Sequence, residues 1–191
     1  YPPGLDFVVA FFGVLRAGAI AVPVVPPNPS RLRFDLPALR AIAADCTPAL
    51  ALTSWRYAAA TSPPFVAAAT AKAAGGWPTA LPWICTDVDV RPRGLLIRLQ
   101  RYCGISPAAA QSLPPLPTRS TVAFLQYTSG STGAPKGVTV THANLMAQLQ
   151  ASAEALPQSV ISVGVNWCPQ YHDLGLVTCV LGAVFCGGHL I

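Results

Sequence analysis

Unbroken apolar runs, each closed by glycine or proline, constrain this chain more than any other feature. Residues 4–18, GLDFVVAFFGVLRAG, carry apolar side chains on most faces and stop at Gly18. That pattern predicts a buried helix with a glycine C-cap. AIAVPVV follows as a continuous apolar run, and PPNPS breaks it, which predicts a strand buried on both faces. DLPALRAIAADCTP reads as a short helix and ALALTS as the next strand. Ala58 to Ala74 reads as an Ala-rich helix, and LPWICTD as a third strand. Strands alternating with helices at this spacing imply βαβ units and a largely parallel sheet, an α/β fold.

The two longest apolar stretches, Phe7 to Val25 and Leu174 to Ile191, fall near the roughly 18 residues that a spanning helix needs. Arg16 and Pro23 interrupt the first, and glycines and His189 the second. Each therefore reads as a buried helix followed by a buried strand, with no membrane span. From Val88 to Thr118 the pattern dissolves into Pro, Arg and Ala, a surface connection with a short helix at Leu95 to Tyr102. Order returns with a strand at Val122 to Tyr127, a loop to Gly137, and a short strand at Val138 to Val140. A helix from His142 to Leu156 has Thr141 as its N-cap. A strand at Ile161 to Trp167 and a buried helix from Leu174 complete the series.

Charge excludes one class of partner. The net charge of +5 comes from 12 Lys and Arg against 7 Asp and Glu, scattered apart from a loose group at Arg91, Arg93, Arg98 and Arg101. A nucleic-acid binder shows a denser basic stripe. Cys46, Cys85, Cys103, Cys168, Cys179 and Cys186 form no CxxC pair, and the three histidines have no metal-ligand spacing. Free, mostly buried thiols in a reducing, cytoplasmic compartment are the expectation.

The chemistry concentrates in AFLQYTSGSTGAPKGVTVTHANL. Six of the seven residues from Thr128 to Ala134 are Gly, Ser or Thr, and Pro135, Lys136 and Gly137 follow. Glycine allows close backbone approach, so N–H groups from Gly130 to Gly133 can point at an anion. Hydroxyls of Thr128, Ser129, Ser131 and Thr132 can donate to phosphate oxygens, and Lys136 adds a positive charge. Neither a Walker A nor a dinucleotide fingerprint is present. By composition alone, a solvated linker accounts for the segment equally well.

YTSGSTGAPKGV resembles the phosphate loop of adenylate-forming enzymes, the superfamily of acyl-CoA synthetases, nonribosomal adenylation domains and luciferases. YPPGLDFVVAFFGVLRAGAIAVPVVPP resembles its upstream helix-strand motif, and WCPQYHDLGLV its downstream aromatic-histidine motif. The wording of FLQYTSGSTG and YHDLGL is most similar to the fatty-acyl-AMP ligase branch. The resemblance covers residues 1–191, weakly over 88–118. It implies the N-terminal portion of the large layered-sheet domain, a partial AMP-binding domain truncated at both ends.

The resemblance implies attack of a carboxylate, a fatty acid on this branch, on the α-phosphorus of ATP. Acyl-AMP and pyrophosphate result, and the acyl group then passes to an acyl carrier protein or CoA thiol. Thr128, Ser129, Gly130, Ser131, Thr132, Gly133, Lys136 and Gly137 would hold the phosphates. His172 would be catalytic, with Tyr171 and Asp173 at the acyl pocket. Mg²⁺ would accompany ATP, its main protein ligand lying beyond Ile191 with the adenine motifs, the ligase insertion and the C-terminal catalytic lysine. Residues 1–191 alone would then be inactive. An acyl-CoA synthetase and a non-catalytic nucleotide-binding fragment are the alternatives.

Several residues keep two readings. Asp173 suits a helix cap as well as a site, and Trp167, Leu174 and Leu176 suit core packing as well as an acyl tunnel. Cys168 is expected to be a structural thiol. His142 and His189 receive no catalytic role.

Overall fold

The computed structural model describes residues 1–61, 81–89, 114–128, 135–156 and 158–191. The chain divides into two compact units. The first comprises residues 1–2, 25–114 and 129–137, and the second 3–24, 115–128 and 138–191.

In the first unit, helix α2 (Leu32–Cys46) buries Leu32 and Leu36, with Leu39 packed on them. Strand β1 (Ala51–Thr53) pairs in parallel with β2 (Trp83–Cys85), the ALALTS and LPWICTD strands of the sequence. Helix α3 (Trp55–Thr61) follows β1, and the short α4 (Thr86–Asp89) follows β2. Residues 62–74 of the expected Ala-rich helix and the expected helix at Leu95 to Tyr102 lie outside the described residues.

Tyr57 fastens α3 to the chain ahead of α2. Its hydroxyl donates to the Pro27 carbonyl at 2.6 Å. Burial, and secondarily the Asp35 charge, raise its pKa well above the ordinary 10.0. Above that value the unfolded phenol ionises while the folded one stays protonated, so the unfolded state binds fewer protons. Stability is therefore complete below the ordinary value and falls as pH rises through it. Denaturation at roughly pH 8 and roughly pH 11 should show that fall, and Tyr57→Phe should flatten it while costing about 1 kcal/mol at neutral pH.

The second unit opens with helix α1 (Leu5–Arg16), which buries Phe7, Phe11 and Leu15. Gly18 ends it as expected, at φ +68°. The Gly18 and Ala19 N–H groups donate to the Leu15 and Val14 carbonyls at 3.0 and 3.1 Å, a Schellman pair. The strand expected at AIAVPVV is reduced to one parallel bridge, Ala21 with Phe124. Ala21 N–H donates to Ala123 O and Ala21 O accepts from Leu125 N–H. The next donor on that edge would be residue 23, and Pro23 has no N–H to give.

Strand β3 (Val122–Thr128) buries Ala123 and Phe124, and the Phe124 ring meets Phe11 edge-on at 5.8 Å. It pairs with β4 (Lys136–Thr141), of which residues 138–141 belong to this unit. Helix α5 (His142–Ala155) starts at the expected cap. Thr141 Oγ1 accepts from Asn144 N–H and Asn144 Oδ1 from Thr141 N–H, each at 3.1 Å.

The strand expected over Ile161 to Trp167 shortens to β5 (Val163–Gly164), paired in parallel with β6 (His189–Leu190). Single bonds at Ser162 and Asn166 extend the ladder by one step on each side. The helix expected from Leu174 begins as a π-helix, Leu174–Leu181, and continues as α6 (Gly182–Cys186). Leu176 lies fully buried there, Leu174 is half exposed, and Trp167 is exposed. The described cysteines are half-buried, not buried as expected, and form no disulfide with one another; Cys103 lies outside the described residues. Among the described residues no helix is long and apolar enough to cross a membrane.

Candidate active site

Thr128 closes β3 and is exposed, while Lys136 and Gly137, both exposed, open β4. Ser129, Gly130, Ser131, Thr132 and Gly133 lie outside the described residues. Thr128 belongs to the second unit, Lys136 and Gly137 to the first. Two strands thus carry the described ends of the loop.

Tyr171, His172 and Asp173 sit in the second unit, at the turn between β5 and the π-helix. A tight main-chain turn presents them. His172 N–H donates to Pro169 O at 3.0 Å, and His172 O accepts from Leu176 N–H at 2.7 Å. Asp173 caps the helix, its Oδ1 accepting from Leu174 N–H at 2.7 Å. The same oxygen lies 2.6 Å from His172 Nδ1. Capping and imidazole pairing are therefore compatible in one carboxylate. Both side chains are about two-thirds exposed (64% and 66%), so water screens the pair and it adds little stability. Its consequence is orientation: Nδ1 faces Asp173, and Nε2 is the ring nitrogen that this carboxylate leaves unengaged.

Gly175 seats this turn. A Cβ at that position would stand 2.3 Å from Pro169 O and 2.9 Å from Cys168 O, so backbone packs directly on the first helical turn. Burial, and secondarily nearby Cys168, push the Cys179 thiol upward, toward its protonated form.

The sequence reading missed two contacts here. Gln126, in β3, donates from Nε2 to the Tyr171 carbonyl at 3.2 Å. Its signal was a polar side chain in an otherwise apolar run, VAFLQYT. Gly175 was also legible as a glycine inside a helical pattern.

The family described as AMP-binding enzyme matches residues 1–191. This chain belongs to the AMP-binding enzyme family. It is 34% identical over 188 residues to the medium-chain fatty acid–acyl-carrier-protein ligase JamA of Moorena producens, covering 98% of this chain and 28% of that protein. It is 34% identical over 190 residues to a long-chain fatty acid–AMP ligase of Mycolicibacterium smegmatis, covering 98% of this chain and 26% of that protein. The crystal structure of a fatty acyl-adenylate ligase from L. pneumophila, in complex with acyl adenylate and pyrophosphate, superposes with a TM-score of 0.73 at 28% identity. That match covers 100% of this chain and 28% of the other. The AMP-binding chain thus spans about a quarter of the length of these relatives, and its elements are those of the N-terminal part of their adenylating domain.

Proposed function

We propose that this AMP-binding chain is part of a fatty-acyl-AMP ligase. The enzyme activates a fatty acid with ATP and delivers the acyl group to the phosphopantetheine thiol of a carrier protein. The observation that carries this reading is the match along residues 1–191 to ligases named for fatty acids, AMP and an acyl carrier protein. The phosphate loop is intact within it.

The division of labour follows from the chemistry. Adenylation needs a carboxylate oxygen held in line with the α-phosphorus and charge stabilisation for the departing pyrophosphate. Lys136 and the Thr128–Gly137 loop supply the second requirement: a fixed cation, hydroxyl donors and glycine backbone N–H groups for the β- and γ-phosphates. His172, oriented by Asp173 at Nδ1, turns Nε2 to the carboxylate and α-phosphate. Tyr171 flanks the acyl entrance. Among the described residues no three His, Cys, Asp or Glu side chains cluster. Mg²⁺ keeps most of its water and takes phosphate oxygens with one or two carboxylates, so it would arrive with the triphosphate. When bound, Mg²⁺ neutralises phosphate charge. Cysteines that form no disulfide with one another among the described residues favour a reducing, cytosolic site of action.

The test uses the protein expressed from its complete reading frame. Fatty acids should drive ATP–pyrophosphate exchange, and the acyl group should transfer to a phosphopantetheinylated carrier. Transfer to free CoA in preference to the carrier would make it an acyl-CoA synthetase. No exchange with any carboxylate would leave a nucleotide-binding protein without ligase activity. Residues 1–191 expressed alone should show no exchange, and robust exchange there would refute the need for the remaining domain.

A further inference from the structure

Gln126 lies in β3 two residues before Thr128, where the phosphate loop begins. Its Nε2 reaches a main-chain carbonyl 45 positions away, at Tyr171. Its other amide atom, Oε1, is buried and has no hydrogen-bond partner among the described residues. A buried acceptor without a donor is costly, and an apolar side chain of similar shape avoids that cost. Packing alone would therefore favour leucine or methionine, in keeping with buried Phe124 on the same strand. What glutamine offers and they lack is the N–H that holds Tyr171.

The geometry of the turn shows what that bond does. The Tyr171 carbonyl and the His172 N–H belong to one rigid peptide plane. Pro169 O holds the N–H edge of that plane at 3.0 Å, and Gln126 holds the carbonyl edge at 3.2 Å. A plane fixed at both edges sets the direction in which His172 leaves the turn. The other main-chain bonds at residues 169–176 are local to the segment: Pro169 with His172, His172 with Leu176, and the Asp173 cap. Gly4 N–H reaches the segment from outside at the Gln170 side chain, ahead of the plane in question.

We propose that Gln126 is a positioning residue that sets His172 against the strand leading into the phosphate loop. Histidine and the Thr128 end of β3 thereby share one frame of reference, although Gln126 itself acts only through Tyr171. The kinetic consequence rests on the ligase reading; the structural one does not.

Gln126→Met and Gln126→Glu separate the possibilities in the protein expressed from its complete reading frame. Methionine keeps the volume and removes both amide atoms, and glutamate keeps the shape but cannot donate when ionised. Hydrogen exchange of the peptide covering residues 169–176 should rise about tenfold in both, with β3, α5 and the melting temperature of the methionine variant unchanged. The kcat for acyl-adenylate formation should fall about tenfold or more, with the KM for ATP within about twofold of the parent.

Unchanged exchange at 169–176 overturns the proposal. So does loosening spread evenly over the unit with a lower melting temperature, which is the mark of a merely structural residue. An active parent whose kcat neither variant alters overturns it too. If the parent makes no acyl adenylate but 169–176 still loosens selectively, the ligase reading fails and the positioning role stands.

Discussion

Replacing Lys136 by alanine should lower kcat/KM for ATP in fatty-acid-dependent pyrophosphate exchange by about 10²–10³-fold, the usual effect of removing one preorganised charge-stabilising donor. The side chain is exposed at the start of β4, so its truncation leaves no hole and should not change the melting temperature measurably. That separation between activity and stability makes the experiment decisive. Retention of full activity would remove Lys136 from the phosphate site. Lys136→Arg should recover only part of the loss, because a planar guanidinium and a compact ammonium place charge differently. ATP protection of the loop against proteolysis, present in the parent and lost in Lys136→Ala, gives a binding readout independent of turnover.

Gly175→Ala should destabilise the second unit by about 3 kcal/mol, toward the upper end for an overpacked core. The sign is the informative part. In an unobstructed helix interior the same substitution stabilises by about 1 kcal/mol. Here the added methyl meets Pro169 O at 2.3 Å and Cys168 O at 2.9 Å, and both are backbone atoms that cannot swing aside. Relief requires the 168–173 turn to lift from the helix, carrying Tyr171 and His172 with it. Denaturant unfolding of the two proteins measures the stability change, and the acylation rate should fall with it. Equal or greater stability in the variant would mean that the turn does not sit on Gly175.

Local chemistry was legible wherever a few neighbouring residues complete an interaction. Gly18 closes α1 because only glycine adopts its positive φ without strain, and the Schellman bonds span only Val14 to Ala19. Thr141 and Asn144 form a reciprocal cap within four residues. The strands at Val122 and Val138, and the pair β1 and β2, followed from apolar runs bounded by turn residues. The phosphate loop was read from residue order and from its resemblance to the adenylate-forming signature, since its composition alone suits a solvated linker equally well.

Where a residue depends on what another part of the chain places beside it, the sequence was silent or misleading. AIAVPVV has the composition of a buried strand, yet its ladder stops because the neighbouring strand offers an acceptor to Pro23, which has no donor. Gln126 finds its partner, Tyr171, 45 positions away along the chain. At Gly175 the Cys168–Pro169 backbone fills the place that a side chain would take. Residue order by itself thus determined the α/β character and the caps, because these rest on interactions of short reach. The tertiary structure decided which strand edges pair and how His172 is aimed, because those depend on donors and acceptors that only the fold brings within hydrogen-bonding distance.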